Sequence, residues 1–200
     1  MTPRLVIPLC LVNVLTGLFA TASSAQDGAA VARADVNGNI PRFCALGEPV
    51  IDQSGQRNNI RTVNGSIVAV ESLADPATLT TRAANVSLSL PTVCNTAHRI
   101  TLASDNNGLW REPAVGPEPA GFSGAVPYQL QMNWAGQRTD LDAEAQSRSA
   151  IERVAIVDQP TVGDLGLILS IQAGATGQAV NTPLLAGIYR DTVRLTVEAQ

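Results

Sequence analysis

The chain contains no lysine. Its positive charge comes from 13 arginines, set against 17 acidic residues, for a formal net charge of −4. The arginines are dispersed. An acidic chain without a basic cluster is not built to bind nucleic acid or anionic lipid. Histidine is almost missing too, since His98 stands alone. No cysteine or carboxylate sits at ligand spacing from it, which argues against zinc or a His-activated nucleophile. His98 is expected on a strand surface. Aromatic residues make up 4% of the chain, too few to suggest an aromatic-lined sugar groove. A nucleophile elbow is absent, because in Gly121-Phe-Ser-Gly124 the second glycine comes one position too soon. Asp140-Leu-Asp-Ala-Glu144 lacks the glycine and distant glutamate of a calcium loop and reads as solvated loop. The sequence therefore points to no catalytic residue, no cofactor and no metal, and the chain is not expected to be an enzyme.

Long apolar runs are lacking beyond the first residues. Met1-Thr-Pro-Arg4 leads into an apolar stretch ending at Ala20, followed by Thr21-Ala-Ser-Ser-Ala25. One early positive charge, an apolar centre and small residues before the cut form a signal peptide over 1–25. The stretch is short for a membrane anchor and is broken by Pro8, Asn13 and Gly17. The mature chain, about 175 residues, suits one exported domain with no membrane span. Cysteine is scarce as well, and Cys10 falls inside the leader. The remaining pair, Cys44 and Cys94, reads as a disulfide in an exported protein. The alternative, a reactive or metal-binding thiol, would want further partners nearby.

What the chain has in quantity is period-2 alternation. Tyr189, Val193, Leu195 and Val197 point one way; Arg190, Thr192, Arg194, Thr196 and Glu198 point the other. That is a half-buried terminal strand over 186–198. The chain ends at Gln200, so its neighbours are expected from earlier in the chain or from another chain. Val86, Leu88 and Leu90 alternate with serines, with Pro91 limiting that strand to an edge or an end. Ile100 and Leu102 share a face; so do Tyr128, Leu130, Met132 and Trp134. Further strands are expected over 40–46, 66–70, 153–157 and 165–171. Asn64-Gly65 signals a hairpin turn. The stretches 51–61 and 104–121 read as loops, and 140–153 as a loop with at most one helical turn. Trp110, in the second loop, is expected to fold back onto the core. Near the mature N-terminus Ala30, Ala32, Ala34 and Val36 alternate with polar residues, which fits a disordered tail or a strand with a small apolar face. About eight short strands and no convincing helix make an all-β sandwich.

The combination resembles bacterial pilins of the spore coat protein U type, subunits of archaic chaperone–usher pili. The matching residues are the exported leader, Cys44 after a small-residue segment, Thr92-Val-Cys-Asn-Thr96, Pro127-Tyr-Gln-Leu-Gln131, and above all Ala186-Gly-Ile-Tyr-Arg-Asp-Thr-Val-Arg-Leu-Thr-Val197. The likeness covers most of the mature chain from about residue 30 but does not reach 106–121. It implies an immunoglobulin-like β-sandwich over 40–200 that lacks its last strand. A periplasmic chaperone, and then the N-terminal segment of a neighbouring subunit, would complete it, with an outer-membrane usher guiding export. On this reading 26–39 is the donor segment, with Ala30, Ala32, Ala34 and Val36 as its knobs. Tyr189, Val193, Leu195 and Val197 help line the acceptor groove. The implied product is a head-to-tail polymer, passing from periplasm to cell surface and supporting adhesion and biofilm formation. The alternative is a self-sufficient secreted β-sandwich that binds a ligand such as a carbohydrate near Trp110.

Overall fold

The computed structural model describes residues 32–200, apart from 65, 114, 115 and 117. The expected leader and Ala30 lie outside the described residues. Of the segment ending at Asn39, residues 32–39 carry no strand, and Ala32, Ala34 and Val36 are exposed. Ile40–Gln200 is one compact unit.

This unit is all-β, with no helix among the described residues. In chain order its strands are β1 (Cys44–Leu46), β2 (Val50–Ile51), β3 (Arg57–Asn58), β4 (Ile60–Asn64), β5 (Ile67–Val70), β6 (Ala84–Cys94), β7 (His98–Ser104) and β8 (Leu109–Glu112). They continue as β9 (Ala125–Val126), β10 (Tyr128–Trp134), β11 (Gln137–Ala143), β12 (Ile151–Val157), β13 (Thr161–Ile171), β14 (Ile188–Arg190) and β15 (Val193–Ala199). The largest sheet runs β1-β6-β13-β10-β11, with β2 and β3 also paired to β6. A second sheet runs β12-β7-β15; a third runs β14-β8-β9; β4 and β5 form a hairpin. All strand pairings are antiparallel, and the sheets do not close into a barrel.

One core joins the two main sheets. Val86, Leu88 and Leu90 of β6, Leu130 and Met132 of β10 and Leu165 and Leu167 of β13 turn their alternate side chains into it. From the second sheet come Ile100 and Leu102 of β7, both fully buried. Burial of one such aliphatic side chain is worth about 2 kcal/mol. The β6–β13 ladder registers Thr161 on Cys94 and Ile171 on Ala84, eleven residues without a slip. Between β10 and β11 the turn is Ala135-Gly136, with φ of 52° and 76°. Positive φ at both positions matches the twist of the flanking strands.

Several expectations need correction. Pro91 lies inside β6, a central strand, and not at an edge or an end. Its carbonyl accepts from Gly47 N at 2.7 Å, so its missing donor faces the same side. There the neighbouring strand is interrupted between Leu46 and Val50, and no ladder bond is lost. The stretch 140–153 is a loop only over 144–150 and has no helical turn, because Gln137–Ala143 forms β11 and Ile151–Val157 forms β12. Leu141 and Ala143 are buried, while Asp140 and Asp142 face outward to Arg138 and Gln129. The supposed loop 51–61 contains β3 and the start of β4. The supposed loop 104–121 contains β8, whose partners come from 125–126 and 188–190.

Candidate functional site

The terminal motif forms two strands where one was expected. Tyr189 belongs to β14 and pairs across to Arg111 of β8; Val193, Leu195 and Val197 belong to β15 and pair to Ser104, Leu102 and Ile100 of β7. The chain changes sheet at Asp191. Burial still alternates through the change, since residues 189, 191, 193, 195 and 197 are all half-buried and their neighbours exposed.

Asp191 holds this junction. Its Oδ2 accepts from Ser104 Oγ at 2.6 Å, Tyr128 OH at 2.6 Å and Gly108 N at 3.3 Å. Its Oδ1 accepts from Thr192 N at 2.7 Å and from Asn106 N and Nδ2, both at 3.0 Å. A carboxylate has about four acceptor sites, and here both oxygens are saturated. Ser104 Oγ in turn accepts from Asn107 N at 2.9 Å, and Asn107 Oδ1 accepts from Glu144 N at 2.9 Å. The Asp191 carboxylate thus fixes the β7–β8 turn, β10 and the entry to β15 together. Burial, followed by the bond to Asp191, pushes the Tyr128 phenol well above its usual pKa. Tyr189 donates to the carbonyls of Leu185 at 2.7 Å and Ser123 at 3.1 Å, and burial pushes its phenol up to about 12.

β15 presents a free edge. Among the described residues its only strand partner is β7, over seven residues without a bulge. Half of its backbone N–H and C=O groups therefore point away from any ladder. Other edges are handled differently. β1, β2 and β3 are fragments of three, two and two residues. β11 and β12 lie beside each other, and Gln137 Nε2 donates to Ile156 O at 3.0 Å. β15 has neither device, although natural sheets usually blunt such an edge. β1 lies near it without pairing to it. Val193, Leu195 and Val197 pack on the core yet remain half-buried.

The disulfide is present: Cys44 and Cys94 stand opposite each other in β1 and β6, with Cα atoms 4.2 Å apart. It clips the short edge strand onto the long central one. His98 is not on the surface as expected but fully buried beside this bridge. Its Nε2 accepts from Trp134 Nε1 at 2.8 Å, so Nδ1 carries the proton and donates to Thr96 O at 3.0 Å. Cys44, Cys94 and His98 place potential ligand atoms within 4.8 Å of one another. Two of those atoms are bonded to each other, which leaves the imidazole as the only free ligand. Sequence reading missed Asp191 and misplaced His98. The available signal was parity: His98 and Ser104 fall in phase with Ile100 and Leu102, and Asp191 with Tyr189 and Val193.

No protein-family model, curated protein or solved structure matches this chain. No helix among the described residues is long and apolar enough to cross a membrane.

Proposed function

We propose that the chain is a structural subunit of a cell-surface pilus, polymerised by donor-strand exchange along the chaperone–usher route and supporting adhesion and biofilm formation. The observation that carries this reading is the seven-residue edge of β15, unpaired among the described residues, with its half-buried row Val193, Leu195 and Val197. In an immunoglobulin-like sandwich one sheet runs A-B-E-D and the other C-F-G. The order β1-β6-β13-β10 and the pair β7-β15 correspond, in chain order, to A-B-E-D and C-F. The place of strand G is the free side of β15. Tyr189 bonded to the carbonyl four residues upstream, just before the F-like strand, agrees with the tyrosine corner of that architecture.

A strand added there gains backbone bonds along the edge and covers the apolar row. A periplasmic chaperone would fill the place first; residues 26–39 of a neighbouring subunit, with Ala30, Ala32, Ala34 and Val36 as knobs, would replace it after passage through an outer-membrane usher. The test compares thermal unfolding of residues 39–200 with the same chain carrying 26–38 after Gln200 on a short flexible linker. About four added bonds at about 1 kcal/mol each raise the melting temperature by about 10 °C. An unchanged melting temperature, with 39–200 folding well alone, rejects the pilin reading in favour of a self-sufficient ligand-binding domain.

A further inference from the structure

The third sheet carries a feature that strand exchange does not use. β8 and β14 pair Trp110 with Arg190 and Glu112 with Ile188. Period-2 geometry puts those four side chains on one face of the sheet, with Arg111 and Tyr189 on the other. Arg148, from the connection between β11 and β12, reaches the same face, with its guanidinium 5.9 Å from the centre of the Trp110 ring. Glu112, Pro113, Arg148, Ile188 and Arg190 line an open cleft of about 480 Å³. That volume lies within the range of small-molecule sites.

The charges in this cleft are unevenly matched. One carboxylate, Glu112, serves two cations: it lies 3.5 Å from Arg148 Nη2 and 3.9 Å from Arg190 Nε. Both separations exceed the ~2.8 Å of a formed charge-assisted hydrogen bond. The guanidinium forks therefore keep donors to offer, in a chain whose overall charge is negative. Beside them Ile188 is 57% exposed, an apolar side chain with nothing over it among the described residues.

We propose that this cleft binds a carboxylate-bearing saccharide of the hexuronate class. Arg148 and Arg190 take the carboxylate, for which the planar guanidinium fork is shaped. Glu112 accepts from ring hydroxyls. Ile188 and Pro113 supply apolar surface for the C–H face of the ring. A neutral sugar leaves both cations unmatched. A simple anion matches the cations but offers Glu112 no hydroxyl donor and covers no apolar surface. An acidic sugar meets all three demands at once. The inference stands apart from the pilin reading, since it concerns a different sheet and needs no polymer. In a fibre the site would repeat once per subunit, and weak single-site binding would gain from multivalency.

The test is calorimetric titration of the purified full chain with D-glucuronate, D-glucose, acetate and glycine. Saturable binding of glucuronate, about tenfold tighter than each of the other three, is expected from one additional charged hydrogen-bonded contact. The double variant R148A/R190A should weaken glucuronate by about tenfold or more with the fold retained, because Arg190 is 65% and Arg148 39% exposed and neither is part of the core. R153A, an exposed arginine on the second sheet, should bind as the parent does. Glucuronate binding no better than acetate overturns the proposal as mere ion attraction. Equal binding of glycine overturns it in favour of a zwitterion site. Absence of binding at millimolar glucuronate, or an R148A/R190A variant that binds like the parent, overturns it outright.

Discussion

A charged side chain in phase with the inward-facing row of a strand usually marks a misread register. Asp191 is the exception, because six hydrogen bonds converge on it. Replacing Asp191 with asparagine keeps the shape and removes one acceptor oxygen. The new NH2 group faces donors, so at least one buried donor loses its partner. We expect Asp191→Asn to cost about 3 kcal/mol, read as a lower denaturation midpoint at an unchanged slope. An unaltered midpoint would show that the network is decorative. The phenols give a second residue-scale prediction. Tyr128 and Tyr189 both have folded pKa values raised above the ordinary 10. Their neutral forms are favoured by folding, so this stability is complete below pH 10 and is lost as pH rises from 10 towards the folded values. Thermal unfolding between pH 9 and pH 12 should therefore show a steep alkaline decline, and Tyr189→Phe should make it shallower. Asp191 was hard to see in the sequence because its partners Ser104, Asn106, Gly108 and Tyr128 lie 63–87 residues away. Parity located the position; only the fold supplies the reason for the charge.

At the level of elements, long strands with a clean apolar face were legible: β6, β10 and β15 all follow their alternating side chains. Strands whose inward residues are small or few were not. In β11 the buried side is only Leu141 and Ala143 plus a half-buried Thr139, and the intervening Asp and Arg residues mask the alternation. β8 is stabilised by two distant segments and has no pattern of its own. Pro91 misled because its cost depends on which side the absent N–H faces, a property of the neighbour at residues 46–50. The pairing of Cys44 with Cys94 was legible from cysteine count and the expectation of export, but its structural task was not. β1 has three residues, too few to hold a sheet edge by backbone bonds alone. The bridge closes a loop with a sequence separation of 50, for which the chain-entropy model gives about 4 kcal/mol. The double variant C44A/C94A should lose about that much. Amide hydrogens of Ala45 and Leu46 should then exchange faster than those of the β6–β13 ladder. Equal protection in both forms would mean that β1 is held by packing and not by the bridge.

Taken as a whole molecule, the proposed polymer separates two roles that a single fold usually merges. A side chain buried within its own subunit affects folding and assembly together. A donor knob affects assembly alone, because it is buried only in a neighbour. Val36 is 94% exposed, so within the isolated chain its replacement should change stability by no more than about 0.5 kcal/mol. Leu195, by contrast, rests on Leu102 in the core-facing row of β15. Val36→Arg is therefore expected to leave the melting curve of the monomer unchanged while abolishing or shortening polymers. The arginine would have to enter an apolar groove without a counter-charge, and that costs several kcal/mol per junction. Leu195→Arg should lower monomer stability and polymer yield together. Size-exclusion and electron-microscopic length distributions read the polymer; calorimetry reads the monomer. Because the proposed junction is head-to-tail and does not close, each weakened contact would shorten the fibre, so even partial loss at one junction would be magnified in the mean length. A Val36→Arg chain that polymerises like the parent would remove residues 26–39 from the donor role in this register, whatever the edge of β15 then binds.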